Sequence, residues 1–355
     1  MSNRRFNWVI FLVLQILLIQ VLGYFPAFVE QYYSNGFYPI LAEFSRKILG
    51  GIPISVGDLA YFIVVFLLLK WFINLFRKKK KWKEIALDLA KGLSVFYFLF
   101  HLLWGINYYR EPLFEKMQIE KEYSDADLLR FTKEMIAQTN AIQVLITKDP
   151  DQKVINNLSQ EEIFDLSSKG YTNLANRHSF FDFKNPSNKK SLISLPLSYM
   201  GFSGYLNPFT NEAQVNDRVP MINFPFTVCH EMAHQIGYAS ESEANFIGFL
   251  AVTQNENLYF KFAGYSSALR YCLRNWEARN TEVGKQLLTE INPGVLENFK
   301  DSALHWQQYE TFIEDGFKIF YDNFLKVNHQ EEGMESYSKF LNLLINYSKN
   351  NPIVF

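Results

Sequence analysis

Seventeen residues from Trp8 to Tyr24 (WVIFLVLQILLIQVLGY) carry no charge. A second stretch, Leu59–Phe76, carries one charge, Lys70. A third, Leu93–Ile106, is shorter; it reaches crossing length only when extended back through residues 85–92, with Asp88 and Lys91 inside. A bilayer crossing takes ~20 mostly apolar residues. The first two stretches are therefore expected to span. The third is expected to span, or else to lie as an interfacial or buried helix. Arg4 and Arg5 before the first stretch would also suit a signal peptide. No small-x-small cleavage site stands near residues 23–27, which favours an uncleaved anchor.

Lysine and arginine placement sets the expected orientation. Residues 1–83 hold 11 Lys/Arg against 3 Asp/Glu, and residues 84–355 hold 24 against 33. Arg77 and Lys78–Lys81, with Lys83, sit between the second and third stretches, whereas the loop between the first and second has only Arg46 and Lys47. Positive segments stay cytoplasmic. The amino terminus is expected inside a bacterial-type cytoplasmic membrane, and everything after Ile106 outside. The lysine run is thus a topology signal rather than a nucleic-acid patch, and the near-neutral net charge of −1 gives no reason to expect nucleic acid as a partner. Lys70 is expected to snorkel to the cytoplasmic interface. His101 in the third stretch is either functional or a histidine bonded to a neighbouring helix. The expected division is a membrane anchor, 1–106, in contact with the lipid bilayer, and an extracytoplasmic domain, 107–355.

The second part has helical texture around one small sheet, an α+β and mostly α-helical class. Ser124-Asp125-Ala126-Asp127 opens an apolar-periodic helix running to Ile146, with the Ser-x-x-Asp start of a capping box, and Ser159-Gln160-Glu161-Glu162 opens another that ends near Asn176. The alternation of Ser191–Ser198 (SLISLPLS) suggests a short strand. Residues 201–217 suggest turns plus an extended segment over Glu212–Asn216, an edge strand able to pair with a peptide, or a plain loop. From Phe224 the chain is expected to be helical, with breaks at Gly237, Gly264, Pro293 and Gly333.

The chemistry sits at His230-Glu231-Met232-Ala233-His234. On a helix, residues four apart share a face, so two imidazoles can take two sites of a tetrahedral Zn2+. The glutamate between them reaches the metal-bound water as general base. A third ligand must follow. Ser240 stands where a metzincin would place a third histidine, which disfavours that clan. Ser240 and Glu243 have capping-box spacing, which accounts for Glu243 and leaves Glu241 free to face the metal. Asn245, one turn later, can hold a ligand histidine from behind. The order Glu241-x-x-Ala244-Asn245 is similar to the Glu-x-x-Ala-Asp helix of gluzincin peptidases, and that resemblance also favours Glu241 over Glu243.

Several strings extend the resemblance: Pro53–Asp58, Trp104–Arg110, residues 201–216, His230–Asn245 and Gly333–Tyr337. By these the chain is identified as a member of the domain of unknown function 3810 family, membrane-anchored proteins with His-Glu-x-x-His. The resemblance implies a zincin-like metallopeptidase fold behind several spans and implies no substrate.

Transition-state stabilisation in such enzymes takes a Tyr, His or Arg opposite the metal. Tyr205, Arg218, His305 and Tyr337 are candidates. Tyr337 is the choice because its late helix can fold back over the cleft, and its alternative role is packing. His178 and His305 are expected as ordinary histidines. Cys229 is expected as a buried thiol, with a disulfide to Cys272 as the alternative. The expected function is a zinc metallopeptidase acting on a peptide or protein substrate, with His230, His234 and Glu241 on zinc and Glu231 as base. Its competitors are a non-catalytic membrane protein with a structural or vestigial metal site, and an intramembrane protease, which the polar surroundings of the motif disfavour.

Overall fold

A computed structural model of the protein describes residues 2–77, 80–328 and 337–353. Two helices, α4 (Val56–Arg77) and α5 (Trp82–Leu103), are long and apolar enough to cross a membrane. Each has 22 residues, about 33 Å at 1.5 Å per residue. Their apolar surface is almost wholly uncovered by protein, which in water would be a large cost. Helix α1 (Ser2–Leu22) lies along α5, with Phe11 against Phe98 and the Gln15 amide donating to Ser94 Oγ. The chain then turns by 99° into a second helical run over Pro26–Leu49. That run is α2 (Pro26–Phe28), a π-helical stretch at Val29–Phe37 and α3 (Tyr38–Leu49). Taken with α1 as one bent unit it is also long and apolar enough to cross, so among the described residues the candidate spans number two, or three if the bent pair counts as one. Lys78 and Lys79 of the basic run lie outside the described residues.

The segment between α1 and α4 is seated on the body. Glu212 accepts from the backbone of Val56 at 3.2 Å and Gly57 at 2.6 Å, so a buried carboxylate closes the exposed N–H groups at the start of α4. Asp58 accepts from Ser191 Oγ, Leu192 N and the Tyr205 hydroxyl. Arg46 donates to Asn211 and to the Gln235 carbonyl, and Tyr38 to the same carbonyl at 2.8 Å. Arg110 grips Glu30 through two 2.8 Å bonds, the fork geometry that suits guanidinium and carboxylate. The start of α4 and the end of α5 therefore meet the body at one end of the hairpin, and Arg77 and Lys80–Lys83 lie at the other.

The body is mostly helical. After α6 (Leu113–Lys116) come α7 (Asp125–Thr147) and α8 (Gln160–Arg177). The capping box expected at Ser124 is formed with Asp127, and Ser159 forms another with Glu162. The core gathers α7 and α8 around α10 (Phe224–Gln235), α11 (Glu241–Thr253), α12 (Leu258–Arg279) and α16 (Tyr337–Asn350), with Phe131, Phe246, Phe249 and Phe340 fully enclosed. Helices α13 (Thr281–Leu288), α14 (Pro293–Gln307) and α15 (Phe312–Val327) complete it. Pro293 opens α14, as expected of a residue with no N–H to give. Gly264 does not break a helix. It lies inside α12, where a Cβ would come 2.5 Å from Val252, so its missing side chain lets α11 and α12 close up. Gly333 lies outside the described residues. Cys229 and Cys272 are both buried free thiols, and burial pushes each up to about 12.

The sheet has three strands in the order β1 (Asn188–Lys190), β3 (Ala213–Val215), β2 (Gly204–Leu206). β1 is parallel to β3, with Asn188 opposite Ala213; β2 is antiparallel, with Gly204 opposite Val215. Two expectations need correction. The 191–198 segment is not a strand: Ser194–Tyr199 forms the short helix α9. Ser191 Oγ accepts from Ile193 N, Ser194 Oγ donates to the Ser191 carbonyl, and Pro196 cannot supply a ladder N–H. The extended segment at 212–216 exists, but as the fully buried central strand and not an edge. The edges beside it are β1 and β2, the latter in a stretch whose Gly and Pro content suggested turns.

Candidate metal centre

Helix α10 puts His230 and His234 one turn apart on one face. The chain leaves α10 through Gly237 at φ +92°, a conformation glycine adopts without a Cβ clash, and re-enters helix at Glu241. This reversal brings Glu241 back over the imidazoles. His230 Nε2 lies 3.1 Å from His234 Nε2 and 3.2 Å from Glu241 Oε2; His234 Nε2 lies 3.8 Å from Glu241 Oε1. Among the described residues these three form the group of His, Cys, Asp and Glu side chains whose ligand atoms converge, all within 4.8 Å.

The second ring nitrogens are engaged. His234 Nδ1 is 2.6 Å from the Tyr238 carbonyl, which can only accept, so Nδ1 donates. His230 Nδ1 is 2.9 Å from Asn245 Oδ1 and takes the same tautomer by the same argument. In neutral rings so held, both Nε2 lone pairs point into one space with a carboxylate. That arrangement calls for a proton or a metal ion. Burial alone would lower the His234 imidazole, but Glu241 beside it lifts it to about 9. Burial alone would raise Glu241, but the two histidines hold it well below the carboxylate range.

Glu231 sits beside the cluster and is not one of the three converging side chains. It is buried, and Oε2 has no hydrogen-bond partner among the described residues. Burial pushes its carboxyl up to about 7, against the pull of the histidines. Strand β2 passes close by: a Cβ on Gly204 would lie 2.6 Å from Glu231 Oε1. Trp104, just after α5, stands edge-on to His234 with centroids 6.1 Å apart.

The family of the chain can now be stated. A family model described as "Protein of unknown function (DUF3810)" matches residues 33–345. The chain belongs to this family. No curated protein and no solved structure matches it. In this DUF3810 protein the matched region includes both apolar helices and the histidine cluster.

The remaining candidates sort by position. Ser240 makes no capping bond to α11; its hydroxyl pairs with that of Ser242. Glu243 instead accepts from Leu113 N at 2.6 Å, closing the start of α6, so its carboxylate is occupied for a different reason from the one its spacing suggested. Tyr205 bonds to Asp58, His178 faces the Tyr347 hydroxyl, and His305 lies against Arg218 and Gln308; none of these partners belongs to the cluster. His101 Nδ1 faces the Tyr97 carbonyl of its own helix. Tyr337 begins α16, and its side chain lies outside the described residues.

The residue that sequence reasoning missed is Tyr321. It projects from α15 and donates to Glu241 Oε1 at 2.5 Å, with Phe202 edge-on and Phe324 stacked beside it. No spacing ties a residue 80 positions away to Glu241. The only hint is a tyrosine within an apolar-periodic helix. Side-chain exposure is 24% at Glu241 against 13% and 8% at the histidines, so Glu241, the residue that Tyr321 contacts, is the least enclosed of the three.

Proposed function

We propose that this chain is a membrane-anchored zinc metallopeptidase of zincin-like fold, with its catalytic domain outside the cytoplasmic membrane. The observation that carries the reading is the convergence of His230, His234 and Glu241 beside a buried carboxylate, Glu231, that is not one of the three. Two imidazoles and a carboxylate are a zinc donor set, and three protein ligands match a site that keeps one position for chemistry; structural zinc sites are closed by four. Zinc held there would supply Lewis acidity to a water and to a peptide carbonyl.

The chain's own residues do the rest. Asn245 and the Tyr238 carbonyl orient the two rings. Glu231 accepts the proton of the attacking water and passes it to the departing amine. Tyr321 has its hydroxyl on Glu241 at the rim of the cluster and can turn that donor to the oxygen on which charge develops. β2 is an edge strand passing over Glu231, so an extended peptide added along it would bring its carbonyl to the base.

The orientation follows from charge. The body meets the hairpin at the end opposite Arg77–Lys83, and basic segments stay cytoplasmic.

The test is Glu231→Gln in the full chain. The expected variant keeps its zinc and loses peptide hydrolysis by roughly two or more orders of magnitude. Where no substrate is in hand, complementation of a deletion strain reads the same outcome. Full complementation by the glutamine variant would leave a non-catalytic metal protein as the better account.

A further inference from the structure

Helix α15 has three different faces. At about 100° per residue, Tyr321 and buried Leu325 share the face that meets the cluster. Phe324 turns toward the hairpin, its ring 6.2 Å from Phe100 of α5 and 6.1 Å from Tyr108. The face opposite Tyr321 carries large uncovered apolar side chains around Gly316 and Asn323: Phe312 is 83% exposed, Ile319 66%, Phe320 64% and Val327 73%. The charged residues Asp315, Lys318, Asp322 and Lys326 follow one another along a single flank, where Lys318 pairs with Glu314 and Lys326 with Asp322. Phe100 lies three residues before α5 ends, so its contact with Phe324 sets α15 beside the body-side end of a candidate span.

We infer that α15 is an interfacial helix that docks its Phe312–Ile319–Phe320–Val327 face into the bilayer surface on the body side, and that it roofs the metal cluster from there. An amphipathic helix with aromatic and aliphatic residues on one side and charges on the other lies in the plane of the interface. In water, four large side chains left bare on one face form the kind of patch that soluble surfaces avoid. Lipid docking gives α15 a fixed seat, and the same helix then holds the Tyr321 hydroxyl on Glu241. The cluster is thereby covered by an element whose position the membrane sets. The inference rests on the membrane reading of the hairpin and is independent of peptidase activity.

The test uses the full chain in vesicles of phosphatidylethanolamine and phosphatidylglycerol, carrying one introduced cysteine at a time. Phe320→Cys, Asp315→Cys and Leu67→Cys are labelled with an environment-sensitive fluorophore; the chain without an introduced cysteine gives the background from Cys229 and Cys272. Lipid-borne nitroxide should quench the label at Phe320 more strongly than at Asp315, iodide should rank the two the other way, and emission at Phe320 should shift to the blue. A Phe320 label quenched by iodide and not by lipid overturns the inference. A label protected from both quenchers also overturns it, since a second copy or another protein then covers the face. Leu67, in the middle of α4, separates the two levels of failure: if it is not quenched from the lipid, the membrane reading itself has failed.

Discussion

The Tyr321 hydroxyl donates a 2.5 Å hydrogen bond to Oε1 of Glu241, tying α15 to the third residue of the candidate ligand set. Glu241 holds the imidazole cluster with its other oxygen, 3.2 Å from His230. One carboxylate thus joins the element that carries the histidines to the element that covers them.

Tyr321→Phe separates positioning from chemistry. The ring remains to pack against Phe202 and Phe324, and Glu241 keeps its contacts to both histidines. The variant is expected to hold zinc at the wild-type stoichiometry and to lose turnover by about 10²-fold or more, the cost of removing one donor to a developing oxyanion. Metal content and kcat measured on the same preparation check it. Wild-type turnover would assign the hydroxyl to Glu241 alone.

The two nearby carboxylates make a second, paired prediction. Glu241→Gln should lower zinc occupancy sharply, because an amide is a poor substitute for a charged ligand and the imidazoles lose their counter-charge. Glu243→Gln should leave occupancy near one, since its contact is with Leu113 N and a glutamine oxygen can still accept that bond. His230→Ala should abolish binding. Elemental analysis of the purified variants decides, and a greater loss at Glu243 would overturn the ligand set.

What the sequence made legible was mainly local. His230 and His234 are one turn apart, so any helix through them sets them on one face. Asn245 and Glu241 come from the next helix after a short glycine turn, and the Ser124 and Ser159 caps close over three residues. The same spacing at Ser240 and Glu243 formed no box, because Leu113, 130 residues away, takes the carboxylate. The alternation of 191–198 was overruled by serine side chains that close a turn. The middle position of β3 depends on partners at 188–190 and 204–206, and Tyr321 reaches Glu241 across 80 residues. Each of these misses is a long-range pairing or a side-chain bond that competes with the local pattern.

Gly204 supplies a steric test of the edge strand beside the base. A Cβ there would stand 2.6 Å from Glu231 Oε1 and 2.9 Å from the Gln214 carbonyl. Gly204→Val must displace the carboxylate, the strand or both. The expected result is a protein less stable by about 1–3 kcal/mol, the usual cost of forcing extra atoms into a packed site, with zinc retained and activity lost. Denaturant titration and metal analysis together read it. Unchanged stability and activity would mean that β2 does not press on Glu231.

The orientation of the hairpin is open to direct measurement. Glu212 bonds the first residues of α4 to the body, and α5 re-enters the body through Trp104. The body and the 26–55 segment therefore sit at one end of the hairpin, with Arg77 and Lys80–Lys83 at the other. Basic loops are retained in the cytoplasm. A reporter of periplasmic export fused after Phe355 should be active, and one fused at Ile52 should agree with it. A reporter inserted at Lys80 should score as cytoplasmic. Replacing the lysines between Lys78 and Lys83 by neutral residues should weaken this preference and yield mixed populations. Agreement of the Ile52 and Phe355 fusions on the cytoplasmic side would invert the topology and place the histidine cluster inside the cell. A split between them would mean that α4 and α5 do not cross as a pair.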